Sequence, residues 1–444
     1  MNRIRQAGFV SVAAVALLAT GEAQAVPAFA VQTGLQCAAC HVGGFGPQLT
    51  PLGRQFKIGG YTMRATPGFT PPVSAMVMAS YVNTAKGQNP PPAPHYAPND
   101  NVTLDQASLF IAGGYGDHFG SFAQFTYDGI GRAFAWDNLD LRAVDRETVA
   151  GQDVVLGLVL NNNPGVEDGW NTLAAWGFPY SGSDLVPAPS AGPMIAGGLG
   201  QTVLGLNAYA WWNSSIYTEA GFYWTPGHNF LSALGADSSD PGPLASAAPY
   251  LRLAYQKDYG DQNFEIGAFG FFPDLYPGND HSTGKTDHYR DLGLDATYQY
   301  VGTGDNIYQV NAIYTNEHQA LDASSALGAS ARSDTLNDLR FDGSYYWHNE
   351  IGGTIQYFTT WGSADPLLYA DNSTLKPDSS GFVFQVDGTP FGSEPSSLGT
   401  RFNIRVGVQY IAYTKFNGAS SNYDGLGRNA SDNNALRLFI WGAF

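Results

Sequence analysis

Charged residues are scarce in this 444-residue chain. Asp, Glu, Lys and Arg together make up 13%, where a soluble protein carries about a quarter. Basic residues are the scarcer sign, 21 against 38 acidic, and the formal net charge of −17 argues against a nucleic-acid partner and favours cationic ones. Cysteine is limited to Cys37 and Cys40, and no second Cys/His pair stands nearby to complete a four-ligand zinc site. Beyond the N-terminus no run of about 18 apolar residues occurs, so no membrane-spanning helix is available. Abundant instead are glycine (54), tyrosine (25) and phenylalanine (26). High glycine and aromatic content without long helices is the profile of a transmembrane β-barrel.

Met1 to Ala25 reads as a secretory leader, with Arg3 and Arg5 ahead of an apolar run and Ala23-Gln24-Ala25 as the cleavage pattern. About a dozen residues into the mature chain stands Cys37-Ala38-Ala39-Cys40-His41, the Cys-x-x-Cys-His signature of c-type haem attachment. In that chemistry the two thiols add across the haem vinyl groups and the adjacent His supplies an imidazole nitrogen to the iron. A thioredoxin-like pair would need a surrounding βαβ unit, which is missing. A plain Cys37–Cys40 disulfide is the remaining alternative, but it gives His41 no role. Export and the haem motif support each other, because bacterial c-type haem is attached beyond the inner membrane.

Residues 26–72 form a short haem-carrying segment after the leader. Thr50 suits an N-cap, Pro51 the first helical position and Gly59 the helix end. Leu52 and Phe56 share one edge of that helix. Arg54 and Lys57 lie off it, positioned either for haem propionates or as a solvated basic face. For the second axial position of the iron the segment offers Met63, which otherwise is packing filler. Met76, Met78, a luminal His or water are the alternatives. A segment of about 40 residues cannot wrap a porphyrin alone.

From 73 to 444 apolar and polar residues alternate with period two. In the last stretch Leu436, Leu438, Ile440, Gly442 and Phe444 oppose Arg437, Phe439 and Trp441. Sixteen strands are expected, near 73–84, 101–116, 118–128, 136–146, 152–162, 200–213, 215–225 and 249–257, then 262–272, 288–301, 305–317, 335–347, 350–361, 381–391, 401–414 and 434–444. Tight turns such as 302–305 alternate with long Pro/Ser/Asp-rich connections such as 163–199. Long loops on one side and short turns on the other are the habit of outer-membrane barrels. The expectation is therefore an all-β protein, a 16-stranded antiparallel transmembrane β-barrel with a short N-terminal haem-binding helical plug in its lumen. Both chain ends lie on the periplasmic side. The lumen should carry Arg142, Arg252, Arg340, Arg405 and Arg437 with Asp140, Asp295 and Asp342, and at least one arginine is expected to meet a propionate, since unpaired buried carboxylates are costly.

The stretch Phe29 to His41, followed by Leu52-Gly53-Arg54-Gln55-Phe56-Lys57-Ile58-Gly59-Gly60-Tyr61-Thr62, resembles the head of the fused cytochrome–porins, whose best-known members are iron(II) oxidases. The resemblance implies one covalent haem c, with Cys37 and Cys40 as attachment points and His41 as proximal ligand. It implies an outer-membrane electron-transfer protein that takes electrons from an extracellular donor, iron(II) foremost, and passes them to a periplasmic cytochrome or copper protein. Where iron-oxidising members carry an aromatic and His-containing turn, this chain has Val42-Gly43-Gly44-Phe45-Gly46-Pro47. The competing expectation is a porin gated or plugged by its haem segment. A peroxide-type haem enzyme ranks last, because the segment supplies no second His or carboxylate beside the motif.

Overall fold

The computed structural model describes residues 27–68, 70–236, 244–328 and 331–444, and the leader expected over Met1 to Ala25 lies outside them. Period-two alternation places side chains on opposite faces of each strand, and here it produces one closed sheet. The strands are β1 (Val73–Thr84), β2 (Asn101–Tyr115), β3 (Phe119–Asp128), β4 (Ala133–Val149), β5 (Gln152–Asn161), β6 (Leu204–Trp212), β7 (Ile216–Trp224) and β8 (Ala248–Tyr259). They continue with β9 (Gln262–Phe271), a two-residue β10 (Asp274–Leu275), β11 (Asp287–Tyr300), β12 (Asn306–Ala320) and β13 (Ser333–Trp347). β14 (Ile351–Gly362), β15 (Ser379–Gly388), β16 (Asn403–Lys415) and β17 (Ala435–Ala443) complete the set. Each spanning strand pairs antiparallel with its neighbours, β9 passes directly to β11, and β1 pairs with both β2 and β17. Leaving β10 aside, this is a closed 16-stranded antiparallel barrel.

Closure removes the sheet edges that would otherwise leave backbone groups unpaired. The last residue takes part: Phe444 and Ala75 exchange backbone hydrogen bonds of 2.7 and 3.0 Å. The outer face is apolar. On β8, Leu251, Leu253 and Tyr255 are exposed, whereas Tyr250, Arg252, Ala254 and Gln256 are buried. The same alternation sets Leu292 and Leu294 outward against Asp291 and Asp295 inward on β11. An apolar outer belt around a polar interior is the pattern of a barrel that crosses lipid. Among the described residues no helix is long and apolar enough to do so.

Connections at one end are short (116–118, 150–151, 213–215, 260–261, 301–305 and 348–350) except for 389–402. At the other end most are long. β4 begins earlier than expected because 129–132 is a compact turn, its Ile130 and Gly131 amides held by Asp128 at 2.8 and 2.9 Å. β6 begins later, at Leu204, because residues 162–203 leave the wall and fold into the lumen. Inward-facing side chains hold that loop: Gln356 Nε2 donates to the Phe178 carbonyl (2.8 Å), Arg437 Nη1 to that of Ser181 (3.0 Å), and Asp291 accepts from the Ile195 amide (2.7 Å).

The N-terminal segment enters from the short-turn end as α1 (Pro27–Thr33), α2 (Cys37–Cys40) and α3 (Pro51–Ile58). Its polar groups meet the inner wall. Tyr61 donates to Asp140 (2.8 Å), Gln299 to the Leu49 carbonyl (2.8 Å) and the Gly43 amide to Asn349 (2.8 Å). The lumen is thus occupied from both ends, by the plug and by the inward loop.

The outward position of Leu294, near the middle of β11, generates a test. Leu294→Arg should lower stability by about 2–4 kcal/mol if that face lies at the bilayer midplane, as read by urea unfolding in lipid vesicles. A change within experimental error would place the residue outside lipid.

Candidate functional site

Cys37 to Cys40 make one helical turn, closed by the His41 amide on the Cys37 carbonyl at 2.9 Å. Thr50 ties this turn to the next helix. Its hydroxyl accepts from the Gly53 amide (3.2 Å), capping α3, and donates to the Ala39 carbonyl (2.6 Å). Pro51 opens α3 and Gly59 ends it, as the sequence pattern predicts. Gly53 is required by contact, since a Cβ there would stand 2.2 Å from the Cys40 carbonyl oxygen. The glycines after His41 have a similar cause. Gly43 (φ +73°) would press a Cβ within 2.6 Å of Tyr346 and 2.8 Å of Arg405, so the 42–47 turn is small and left-handed because the barrel wall lies against it.

Cys37, Cys40 and His41 line one cavity of about 390 Å³. The plug supplies Phe29, Phe45 and Phe56, the wall Met76, Phe110, Phe122 and Trp441, and the inward loop Trp176, Pro179 and Tyr180. Both sulfurs are free thiols. Burial raises both, and burial together with the neighbouring Cys37 takes Cys40 to about 11. Burial also pushes the His41 imidazole down to about 4, aided by the Arg405 charge and opposed by nearby backbone groups of Gly46 and Gln48. His41 is therefore neutral, the form that ligates a metal. Its Nδ1 is buried without a hydrogen bond of ordinary geometry. An aromatic-walled space of this size, with two thiols and a neutral imidazole turned to it, fits a covalently attached porphyrin.

Several sequence expectations land elsewhere. Arg54 does not line the cavity. Its guanidinium bonds to Asn263 and reaches Gln256 at 3.5 Å, with Glu265, Asp258 and Asp168 as its charged neighbours. The reason is electrostatic: a fully desolvated cation needs fixed counter-charge, and the wall at β8 and β9 provides it. Met63 is half-buried beside the wall and also stands clear of the cavity, its carbonyl held by Gln32 at 2.7 Å. Met76 is the methionine on the cavity surface, whereas the Met78 sulfur receives Arg437 at 3.2 Å.

No arginine among the described residues lines the cavity, so the structure brings none of the expected arginines to it. Arg142 pairs with Asp140 (2.8 Å), Arg340 with Asp338 (3.0 Å), Arg405 with Asp387 (3.2 Å), Arg437 with Asp105 (3.3 Å), and Arg252 with Asp295. The cavity's cation is Lys57. It is desolvated and pushed down to about 8, and donates to the Val166 carbonyl (2.6 Å) and Asn171 Oδ1 (2.7 Å) beneath Trp176. Sequence reasoning missed residues 171–180 of the inward loop. The available signal was their aromatic density, Trp176, Phe178 and Tyr180, inside a connection otherwise rich in Pro, Ser and Gly.

No protein-family model matches this chain, and no curated protein does. Among solved structures it is similar to the high-pH structure of Pseudomonas putida OprB, with 12% identity over 84% of this chain and 94% of that one and a TM-score of 0.47. It is similar to Salmonella typhi OmpF in complex with daunomycin, with 13% identity, coverage of 84% and 97%, and a TM-score of 0.46. A third is the outer membrane channel DcaP of Acinetobacter baumannii, with 12% identity, coverage of 84% and 96%, and a TM-score of 0.45.

Lys57 generates a pH prediction. In the fold it releases its proton near pH 8, against 10.5 ordinarily. Between those values the unfolded chain binds more protons, so this residue's contribution to stability increases as pH rises. Wild type should gain on Lys57→Met by up to about 3 kcal/mol across that window, measured by urea unfolding at several pH values. A constant difference would contradict the burial of a charged lysine.

Proposed function

We propose that this barrel resides in a bacterial outer membrane and passes electrons through a single covalent haem c, from an extracellular donor, iron(II) foremost, to a periplasmic cytochrome or copper protein. The observation that carries this reading is the convergence of Cys37, Cys40 and His41 on one aromatic-walled cavity inside a closed barrel. When bound, the group supplies a one-electron iron couple. Cys37 and Cys40 would hold it by thioether bonds and His41 by its neutral imidazole. Phe45, Phe110, Phe122 and Trp441 wall the site, and Trp176, Pro179 and Tyr180 stand on its long-loop side.

A second cavity, of about 560 Å³, supports a cationic donor. It shares Gln106, Asp137, Pro179 and Tyr180 with the first, carries Asp105, Asp128 and Asp184, and has no Lys or Arg in its lining. Its position between the aromatic cavity and the long loops gives a positively charged donor an attractive approach. Asp287 and His288, at the long-loop end of β11, are engaged elsewhere. Asp287 caps a short helix at Ser324 (3.0 Å), and His288 Nδ1 bonds to Asp274 at 2.5 Å. The alternative, a porin gated by its haem segment, draws on the same barrel, and the plug and inward loop would have to move for it to conduct.

Stopped-flow mixing of vesicle-held, haem-loaded protein with iron(II) separates the two. The electron-transfer reading expects rapid haem reduction that slows as salt screens the acidic approach. A haem inert to iron(II) and other cationic donors, with conductance that follows its redox state, would establish the gated porin. In the loaded protein Met63→Ala should leave the visible spectrum unchanged while Met76→Ala alters it; the reverse result would restore Met63 as the axial candidate.

A further inference from the structure

The inner wall below the long loops carries a group of oxygen atoms that neither the cofactor cavity nor the luminal ion pairs use. Asp291 and Glu317 face each other across β11 and β12. Two residues along the same face, Gln319 stands opposite Asp334 across β12 and β13. Loop 363–378 brings Asp365 alongside: the Ser363 amide donates to the Thr335 carbonyl (2.9 Å) and the Thr335 amide to the Ser363 hydroxyl (3.0 Å). All five side chains are at least 96% buried.

Some of their oxygens are satisfied. Asp291 Oδ2 accepts from the Ile195 amide and Glu317 Oε2 from the Met194 amide, both at 2.7 Å. Gln319 Nε2 donates to Glu317 Oε1 at 2.6 Å, which orients the amide, and Asp365 Oδ1 accepts from Leu367 and Leu368 at 2.7 and 2.9 Å. Four oxygens have no hydrogen bond of ordinary geometry, Asp291 Oδ1, Gln319 Oε1, Asp334 Oδ2 and Asp365 Oδ2, and the carboxyl groups lie against one another, Asp291 against Glu317 and Asp334 against Asp365. Every unmatched atom is an acceptor. Elsewhere in the lumen arginines pair with Asp140, Asp295, Asp387 and Asp105, but no ion pair among the described residues reaches these four acids.

Buried carboxylates without positive charge are strongly disfavoured, so a cation or shared protons must complete the group. No three His, Cys, Asp or Glu side chains among the described residues are gathered as a ready-made cage, and no His or Cys belongs to the array. That donor set suits a hard cation that takes oxygen ligands and keeps some of its water. We propose that this array binds a hydrated divalent cation of the calcium–magnesium class. Asp334, Asp365 and Gln319 ligate it, and Asp291 and Glu317 add negative charge beside it. Such an ion ties loop 363–378 and, through Met194 and Ile195, the inward loop to the barrel wall. The inference does not depend on haem.

The test uses full-length protein in detergent, stripped with EDTA and titrated with terbium(III). Tyr369 stands among Glu317, Asp334 and Asp365, and Tyr289 beside Asp291 and Glu317, so aromatic excitation should sensitise terbium emission. The expected result is saturable emission that calcium displaces, with affinity lowered about tenfold or more by Asp334→Asn or Asp365→Asn and unchanged by the exposed control Asp117→Asn. If either variant fails to fold, thermal unfolding of wild type decides, with calcium expected to raise its midpoint after EDTA treatment. No displaceable emission, equal affinity in the folded site variants, or a midpoint indifferent to calcium would overturn the proposal and leave shared protons as the explanation.

Discussion

Placement of the Cys37–His41 turn inside the barrel is the constraint on which the rest depends. The segment that carries the turn is three short helices, α1 to α3, and short chains bury too little surface to form a core alone. Enclosure therefore comes from the barrel. Met76, Phe110, Phe122 and Trp441 supply one side of the space, and Trp176, Pro179 and Tyr180 descend from the inward loop to supply the roof. Glycine at 43 and 53 lets wall and helix approach the turn at contact distance. A bulky turn at 42–47 would hold the plug away from Tyr346 and Arg405, and the cavity would open.

The same burial dictates the electrostatics. Inside a barrel with an apolar exterior, an unpaired arginine is costly, so Arg142, Arg252, Arg405 and Arg437 are each bound to a carboxylate on the wall. These pairs brace the plug as well. Arg405 Nη2 holds the Gly43 carbonyl at 3.0 Å, and Tyr61 hydrogen-bonds Asp140, the partner of Arg142. Arginines engaged in this way are not free for a ligand, which leaves Lys57 as the positive charge at the cavity and leaves its lining predominantly apolar and aromatic.

The barrel was legible because alternation is a local property. Arg437, Phe439 and Trp441 fall inward and Leu438 and Ile440 outward on β17, as period two requires. The cap at Thr50 and the stop at Gly59 were legible for the same reason. The site was less so, because its walls come from segments far apart in the chain. Arg54 sits on the correct helix, but its sequence position could not reveal that its side of α3 meets β8 and β9 instead of the cavity. Met63 belongs to the plug by sequence, while the methionine at the cavity, Met76, belongs to the first strand. Residues 162–203 read as one more polar connection, and only the aromatics around Trp176 mark a loop that folds inward. The oxygen array at Asp334 and Asp365 was hidden too, since it requires the register of three strands and the return of a loop.

The most direct measurement is a high-resolution experimental structure of the mature protein produced with haem-attachment machinery. The account predicts one porphyrin joined to Cys37 and Cys40, ligated by His41, and enclosed between the Phe110–Phe122 wall and the Trp176–Tyr180 roof. A Cys37–Cys40 disulfide facing an empty lumen, or a porphyrin exposed to solvent outside the barrel, would contradict it.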